Sequence, residues 1–333
     1  MALTILRILM FYLFLSAGNF SANGNNEPDF QHVDRFARQL KKSSTLDQTA
    51  RQLTIQFETE VEKVRAIFVW ITYNIGYDIH KVKDQQRRNN RTVITANSQA
   101  ELDAYIKKMP RKMADNAFSS GKGVCEDYSN LFLFMCQSIG IEASYITGYG
   151  RSSADKLNKY PDRSNHVWNG VKINDTWYLL DATWSAGQVD MRTGKFTRDF
   201  TDGFFLADPV KFILTHFPDD PEWQLVGSPL DLDKFVTLPL GYPSLHDPEI
   251  LDYYPKKGVI SRENEIVKLV LQTEIPADQF ELYINNRYHS TATEADENRV
   301  VFQLDVSRLK NAEITITRIG DVKVIPLISY LVD

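Results

Sequence analysis

Three short segments of this 333-residue chain bring together residue types that can do covalent chemistry. They are Gly121-Lys122-Gly123-Val124-Cys125-Glu126-Asp127-Tyr128, Asn165-His166-Val167-Trp168 and Trp177-Tyr178-Leu179-Leu180-Asp181-Ala182-Thr183-Trp184. Gly121 and Gly123 let the backbone turn tightly into a helix that Cys125 opens. A thiol in the first turn of a helix faces exposed N–H groups and the positive end of the helix dipole, which favours the nucleophilic thiolate. The same N–H groups could stabilise an oxyanion developing on a bound carbonyl. A nucleophile of this kind works with an imidazole, and the imidazole with an orienting acceptor. His166 and Asp181 are the candidates. Taken singly, each has a plainer reading: a buried thiol, a core or surface histidine, a turn or cap aspartate. Together, in three matching local contexts, they read as nucleophile, base and orienting carboxylate.

Whether Asp181 can reach His166 depends on one turn. If Asn174-Asp175 is a two-residue hairpin turn, residue 173 pairs with 176, and His166 lies opposite Thr183. Asp181 is then the diagonal neighbour on the same face, within side-chain reach. Asn169-Gly170 is the stronger dipeptide turn signal; it would set His166 opposite Ile173 and leave Asp181 unexplained. Both registers stand at the level of sequence. The second cysteine, Cys136, lies 11 residues beyond Cys125 in the apolar run 131–136. On a helix that separation spans about 16 Å, too far for a disulfide, and Cys136 reads as a packed, inert thiol. The other histidines (His32, His80, His216, His246 and His289) lack any comparable context. No H-x-x-x-H or C-x-x-C pattern supports a metal, and no cofactor is implied.

These segments need a scaffold, and the pattern supplies one. Residues 61–75 are helical in period, with Val61, Val64, Ile67 and Ile71 on one face. Residues 27–60 show only weak helical periodicity, 81–101 read as an exposed charged loop, and a second helical pattern covers 99–109. Strand-like runs follow at 142–148, 166–173 and 176–183, and Asp208-Pro209 reads as the start of a short helix. Near residue 240 the pattern changes: 238–243 reads as a linker, and alternating runs beyond it suggest an antiparallel β-sandwich. The expected organisation is an α+β catalytic domain over 27–240 and a β-rich, immunoglobulin-like sandwich over 245–333.

Composition sets the class and compartment. Hydrophobic residues at 43% and charged residues at 24% describe a globular chain. A net charge of −5 without a long basic block argues against nucleic-acid binding. Arg7, the apolar run 8–15 and the small, polar residues after it describe a signal peptide over 1–22. The run is short for a membrane-spanning helix, which takes about 20 apolar residues. Export, periplasmic or secreted, is the expectation; a retained N-terminal anchor is the alternative. No integral membrane domain is expected beyond this leader.

At the quoted residues the chain resembles the transglutaminase-like superfamily, whose three catalytic blocks match those around Cys125, His166 and Asp181. More narrowly, Phe204-Phe205-Leu206-Ala207-Asp208-Pro209 and His216-Phe217-Pro218 through Trp223-Gln224-Leu225 resemble its kyphoscoliosis-peptidase-type branch. The block from Ala66 to Ile71, with Tyr77-Asp78, matches as well. The resemblance implies a papain-like core, a Cys125–His166–Asp181 triad, and Trp70 as an oxyanion-side aromatic. It implies a cysteine peptidase acting on protein or peptide amides. The alternatives are a protein-glutamine transglutaminase or deamidase, or a binding scaffold with an unused triad whose C-terminal domain meets a cell-envelope partner.

Overall fold

The computed structural model describes residues 29–87, 96–190, 192–296 and 298–333. The signal-peptide reading over 1–22 falls outside the described residues. Among these residues no helix is long and apolar enough to cross a membrane.

The helix Glu60–Asn74 is the axis of the first core. Thr59 starts it with a capping box, its hydroxyl accepting from Glu62 N at 3.3 Å while Glu62 accepts from Thr59 N at 3.2 Å. Val64 through Thr72 are buried on every side, as expected of a helix surrounded by its own protein. Gln31–Gln39 and Leu46–Thr54 contribute Val33, Ala37, Leu46, Ala50 and Leu53 to the same core. Their polar sequence hid two short amphipathic helices. The segment expected to be an exposed loop begins with a helix, Ile79–Arg87, whose first N–H groups are capped by Asp78. The next helix extends past the predicted 109 to Ser120, through Pro110, and stops at Gly121 in the left-handed conformation, φ 68°.

A four-stranded antiparallel sheet covers this helical layer, in the order Thr176–Leu180, His166–Ile173, Ala143–Gly150, His216–Pro218. Ile173 pairs with Thr176 and Asn169 with Leu180, so Asn174-Asp175 forms the turn. Both turn residues have positive φ, 48° and 62°, which asparagine and aspartate tolerate better than most side chains. The strand expected to reach 183 ends at Leu180. Asp181 instead caps a short helix, Ala182–Ala186.

Beyond residue 240 two sheets share one core. One is ordered Ile250–Tyr254, Ile266–Thr273, Arg299–Asp305, Thr293–Asp296. The other is ordered Val259–Ile260, Val324–Val332, Ala312–Ile319, Phe280–Ile284, Arg287–Thr291. Leu269, Phe280, Phe302, Ile316 and Tyr330 fill the space between them. The predicted linker is itself structured. Leu240–Gly241 pairs with Ile328 and Ser329 as an extra strand, because its backbone groups find partners there rather than in water. Arg151, fully buried at this junction, donates to the carbonyls of Leu214, Phe235, Val236 and Pro239 at 2.8–3.4 Å.

Candidate active site

Cys125 is the first residue of the helix Cys125–Gln137 and is half-buried, while Cys136 is fully buried about three turns further along. Both thiols are free. The approach to Cys125 is built by three local devices. A parallel bridge sets Tyr77 beside Gly123. A side chain at Gly123 would come within 2.6 Å of Asp127 Cβ, so only glycine fits. Asp127 accepts from Val124 N at 2.8 Å and is neutralised by Lys81 Nζ at 2.6 Å.

His166 Nε2 lies 2.6 Å from Asp181 Oδ2, and both groups are buried. The Cys125 thiol lies near enough to act on the imidazole electrostatically, and Nδ1 is the ring nitrogen that Asp181 leaves unused. The structure thus brings the three sequence-predicted residues together through the register set by Asn174-Asp175. Asp181 uses both of its oxygens. Oδ1 caps the following helix, accepting from Thr183 N at 2.7 Å and Trp184 N at 3.1 Å. Oδ2 accepts from His166 and from a second imidazole, His216 Nε2, at 3.2 Å. The indole of Trp184 lies over the His166 ring, centroids 4.8 Å apart and 28° from parallel. Room for this stack comes from Gly150 in the neighbouring strand, where an added Cβ would sit 2.9 Å from His166 Cβ and 3.0 Å from Trp184.

The electrostatics follow from burial and pairing. Burial alone would push His166 down; the Asp181 carboxylate and the Cys125 thiol reverse this and raise it to about 10. Burial would push the Asp181 carboxyl up, yet the His166 charge and the two imidazole N–H groups hold it well below the usual carboxylate range. His216 is pushed down to about 4 by burial, against the pull of Asp181. One imidazole therefore carries the positive charge beside Asp181 and the other is neutral. The phenol of Tyr77 is pushed well above its ordinary value by burial and by the charges of Cys125, Asp181 and Asp127. It stays a neutral O–H donor.

Two sequence readings change. Trp70 is not at the site: its indole N–H donates to Leu40 O at 2.9 Å, and its ring stacks on Phe118 in the helical core. A fully buried indole with its donor already used cannot serve an oxyanion. His216, set aside in the sequence, belongs to the site. Its only signal was the His216-Phe217-Pro218 block, which carried a family resemblance but no stated role. His166, Asp181 and His216 place potential metal-ligand atoms within 4.8 Å of one another, but both Nε2 atoms are already at hydrogen-bonding distance from Asp181 Oδ2.

A cleft of about 740 Å³ opens from Tyr77, His166 and Trp184 toward the C-terminal sheets. Phe196 and Phe200 line one side, Ile325 and Pro326 the other. An ion pair between Asp199 and Lys323, 3.0 Å long, links the two sides.

The family model described as the transglutaminase-like superfamily matches residues 47–182. Kyphoscoliosis peptidase of Homo sapiens is 27% identical over 248 residues, 74% of this chain and 34% of that protein. Hillarin of Drosophila melanogaster is 26% identical over 228 residues, 63% of this chain and 25% of that protein. Lim and transglutaminase domain protein ltd-1 of Caenorhabditis elegans is 25% identical over 226 residues, 63% and 28% of the two chains. The chain spans about a third or less of the length of these relatives.

Proposed function

Residues 47–182 carry a transglutaminase-like domain, and from that premise we propose that this protein is an exported cysteine acyl-transfer enzyme, a peptidase in its main activity. The thiolate of Cys125 adds to a substrate amide carbonyl, and the oxyanion takes hydrogen bonds from the Cys125 backbone N–H and the Tyr77 hydroxyl. The protonated His166 gives its proton to the departing amine as the C–N bond breaks. The thioester left on Cys125 is then hydrolysed by a water that His166 deprotonates. Asp181 holds the imidazole in one orientation and supports its positive charge.

The observation that carries this reading is the buried Asp181–His166 contact of 2.6 Å beside a free, half-buried thiol that opens the helix Cys125–Gln137. Such an array is costly to desolvate, and a cleft lined by Tyr77, His166 and Trp184 opens beside it. Digestion of a peptide library with the wild type and Cys125→Ala tests the proposal. Cleavage by the wild type alone is expected; no cleavage by either protein overturns it. A primary-amine probe added with a glutamine peptide reads the alternative fate of the thioester. Incorporation faster than hydrolysis would make the enzyme a transglutaminase.

A further inference from the structure

His216 is buried without exposure to solvent and reaches the site from a strand 35 positions beyond Asp181 in sequence. Its Nε2 contacts the same Asp181 oxygen as His166, 3.2 Å against 2.6 Å. Its other nitrogen, Nδ1, lies 2.8 Å from the hydroxyl of Thr215. That hydroxyl has a single proton, for which Phe212 O at 3.2 Å also competes. An ionised Asp181 can only accept, so the proton of a neutral His216 ring belongs on Nε2 and the Thr215 hydroxyl turns toward Nδ1. Phe212 stacks on the ring at 4.0 Å and 15°, and Trp168 and Trp184 pack around it. The ring cannot rotate away.

We infer that His216 is a positioning residue of the reaction, a neutral imidazole that keeps Asp181 ionised and aimed at His166. The inference rests on the triad reading of the preceding section. Its physical content is a count of donors. A carboxylate buried to 1% exposure needs its lone pairs answered. Thr183 and Trp184 hold one oxygen, while His166 must share the other as its charge changes during turnover. A second, permanently neutral donor on that oxygen keeps it in place and ionised whichever state His166 is in. The charged or titratable groups facing His216 are Asp181 and His166, with His246 on the adjoining 3₁₀ turn and Lys211 beside His246. Of these, only His166 also contacts Asp181.

The test compares His216→Gln with His216→Asn. Both are neutral amides, but only glutamine is long enough to place an N–H where Nε2 stands. The readout is the rate of Cys125 alkylation by iodoacetamide from pH 5 to 11, with circular dichroism as a check on folding. This needs no substrate, so it stands even if the peptidase reading fails. His216→Asn is expected to lower the rate at pH 6 by about tenfold or more. It should also narrow the pH window, because an unanswered buried carboxylate takes up a proton and no longer supports the His166 charge. His216→Gln should stay within about threefold of wild type with the limbs unmoved. A purely structural role would lower melting temperature equally in both variants and leave the pH limbs in place, and that result overturns the inference. So would activity of the wild type that is lost on chelation and restored by zinc, since His216 would then be a metal ligand.

Discussion

Asp181 works with four incoming hydrogen-bond donors and no acceptor: two imidazole N–H groups and two backbone N–H groups. Asparagine, apparently conservative, must turn its own NH₂ toward one of these pairs. Asp181→Asn is therefore expected to be as damaging as Asp181→Ala, with kcat/KM down about 10²–10⁴-fold in each. Steady-state kinetics on any substrate from the library would check this, and near-wild-type activity in Asp181→Asn would show that the carboxylate charge is dispensable. Tyr77 carries a separate expectation. Tyr77→Phe removes the hydroxyl proposed as the second oxyanion donor and leaves the Cys125 side chain itself unchanged. It should lower kcat by about 10²-fold while Cys125 alkylation proceeds at the wild-type rate. Equal losses in both assays would place Tyr77 in support of the thiol instead.

At the scale of elements, the sheet order decides the site. His166 and His216 come from strands on either side of Ala143–Gly150, pairing with Gly148 and Gly150 respectively. Two glycines in that central strand leave space where side chains would strike Trp168, His166 and Trp184. The next turn, Pro243–His246, adds a cost of a different kind. His246 is half-buried beside Phe204, its Nδ1 is covered and has no hydrogen-bond partner among the described residues, and desolvation pushes the ring down to about 3. A histidine that stays neutral when folded but charges when unfolded gives stability that is intact above about 6.5 and lost as pH falls toward 3. His216 acts with the same sign, while His166, raised to about 10, contributes below 6.5 and loses its contribution as pH rises through 10. The melting temperature should thus peak near neutrality. His246→Leu should shrink the fall between pH 6.5 and 4 in a thermal melt series; an unchanged acid slope would assign it elsewhere.

At the scale of the molecule, two cores meet at the cleft. The C-terminal core runs from Leu245 to Val332 and borrows Leu214 from the first part of the chain. The links across the junction include the strand Leu240–Gly241 held by Val324–Val332, Lys211 Nζ donating to Ile250 O at 2.6 Å, Gly258 N donating to Thr237 O at 2.6 Å, and the Asp199–Lys323 ion pair. Ile325, Pro326 and Lys323 supply one side of the cleft. We therefore expect truncation after residue 244 to leave Cys125 reactive toward iodoacetamide but to abolish peptide turnover, since the substrate loses a wall. Retained turnover would confine substrate binding to the first part of the chain. Loss of thiol reactivity together with folding would show that the two cores fold as one.

Much of the site was legible in sequence because its signals are local. A glycine pair before a helix-opening cysteine, and a two-residue turn that fixes register, are each written within a few positions, and the mixed α+β class follows from periodicity. The choice between Asn174-Asp175 and Asn169-Gly170 was not local. It was decided by the burial of Val171, Ile173 and Leu180 in one core, since a shifted register would turn those side chains to different faces. Asp181 as cap and acceptor at once depended on a helix starting one residue after a strand ends. His216, Tyr77 and the displaced Trp70 were beyond any pattern of spacing. Their positions come from sheet order, a two-residue parallel bridge and one indole's preference for a backbone carbonyl in the core. The sequence by itself determined which side chains could react and which elements would hold them. Only the tertiary structure decided that two imidazoles share one carboxylate, because that contact requires strands far apart in the chain to flank the same glycine-bearing neighbour.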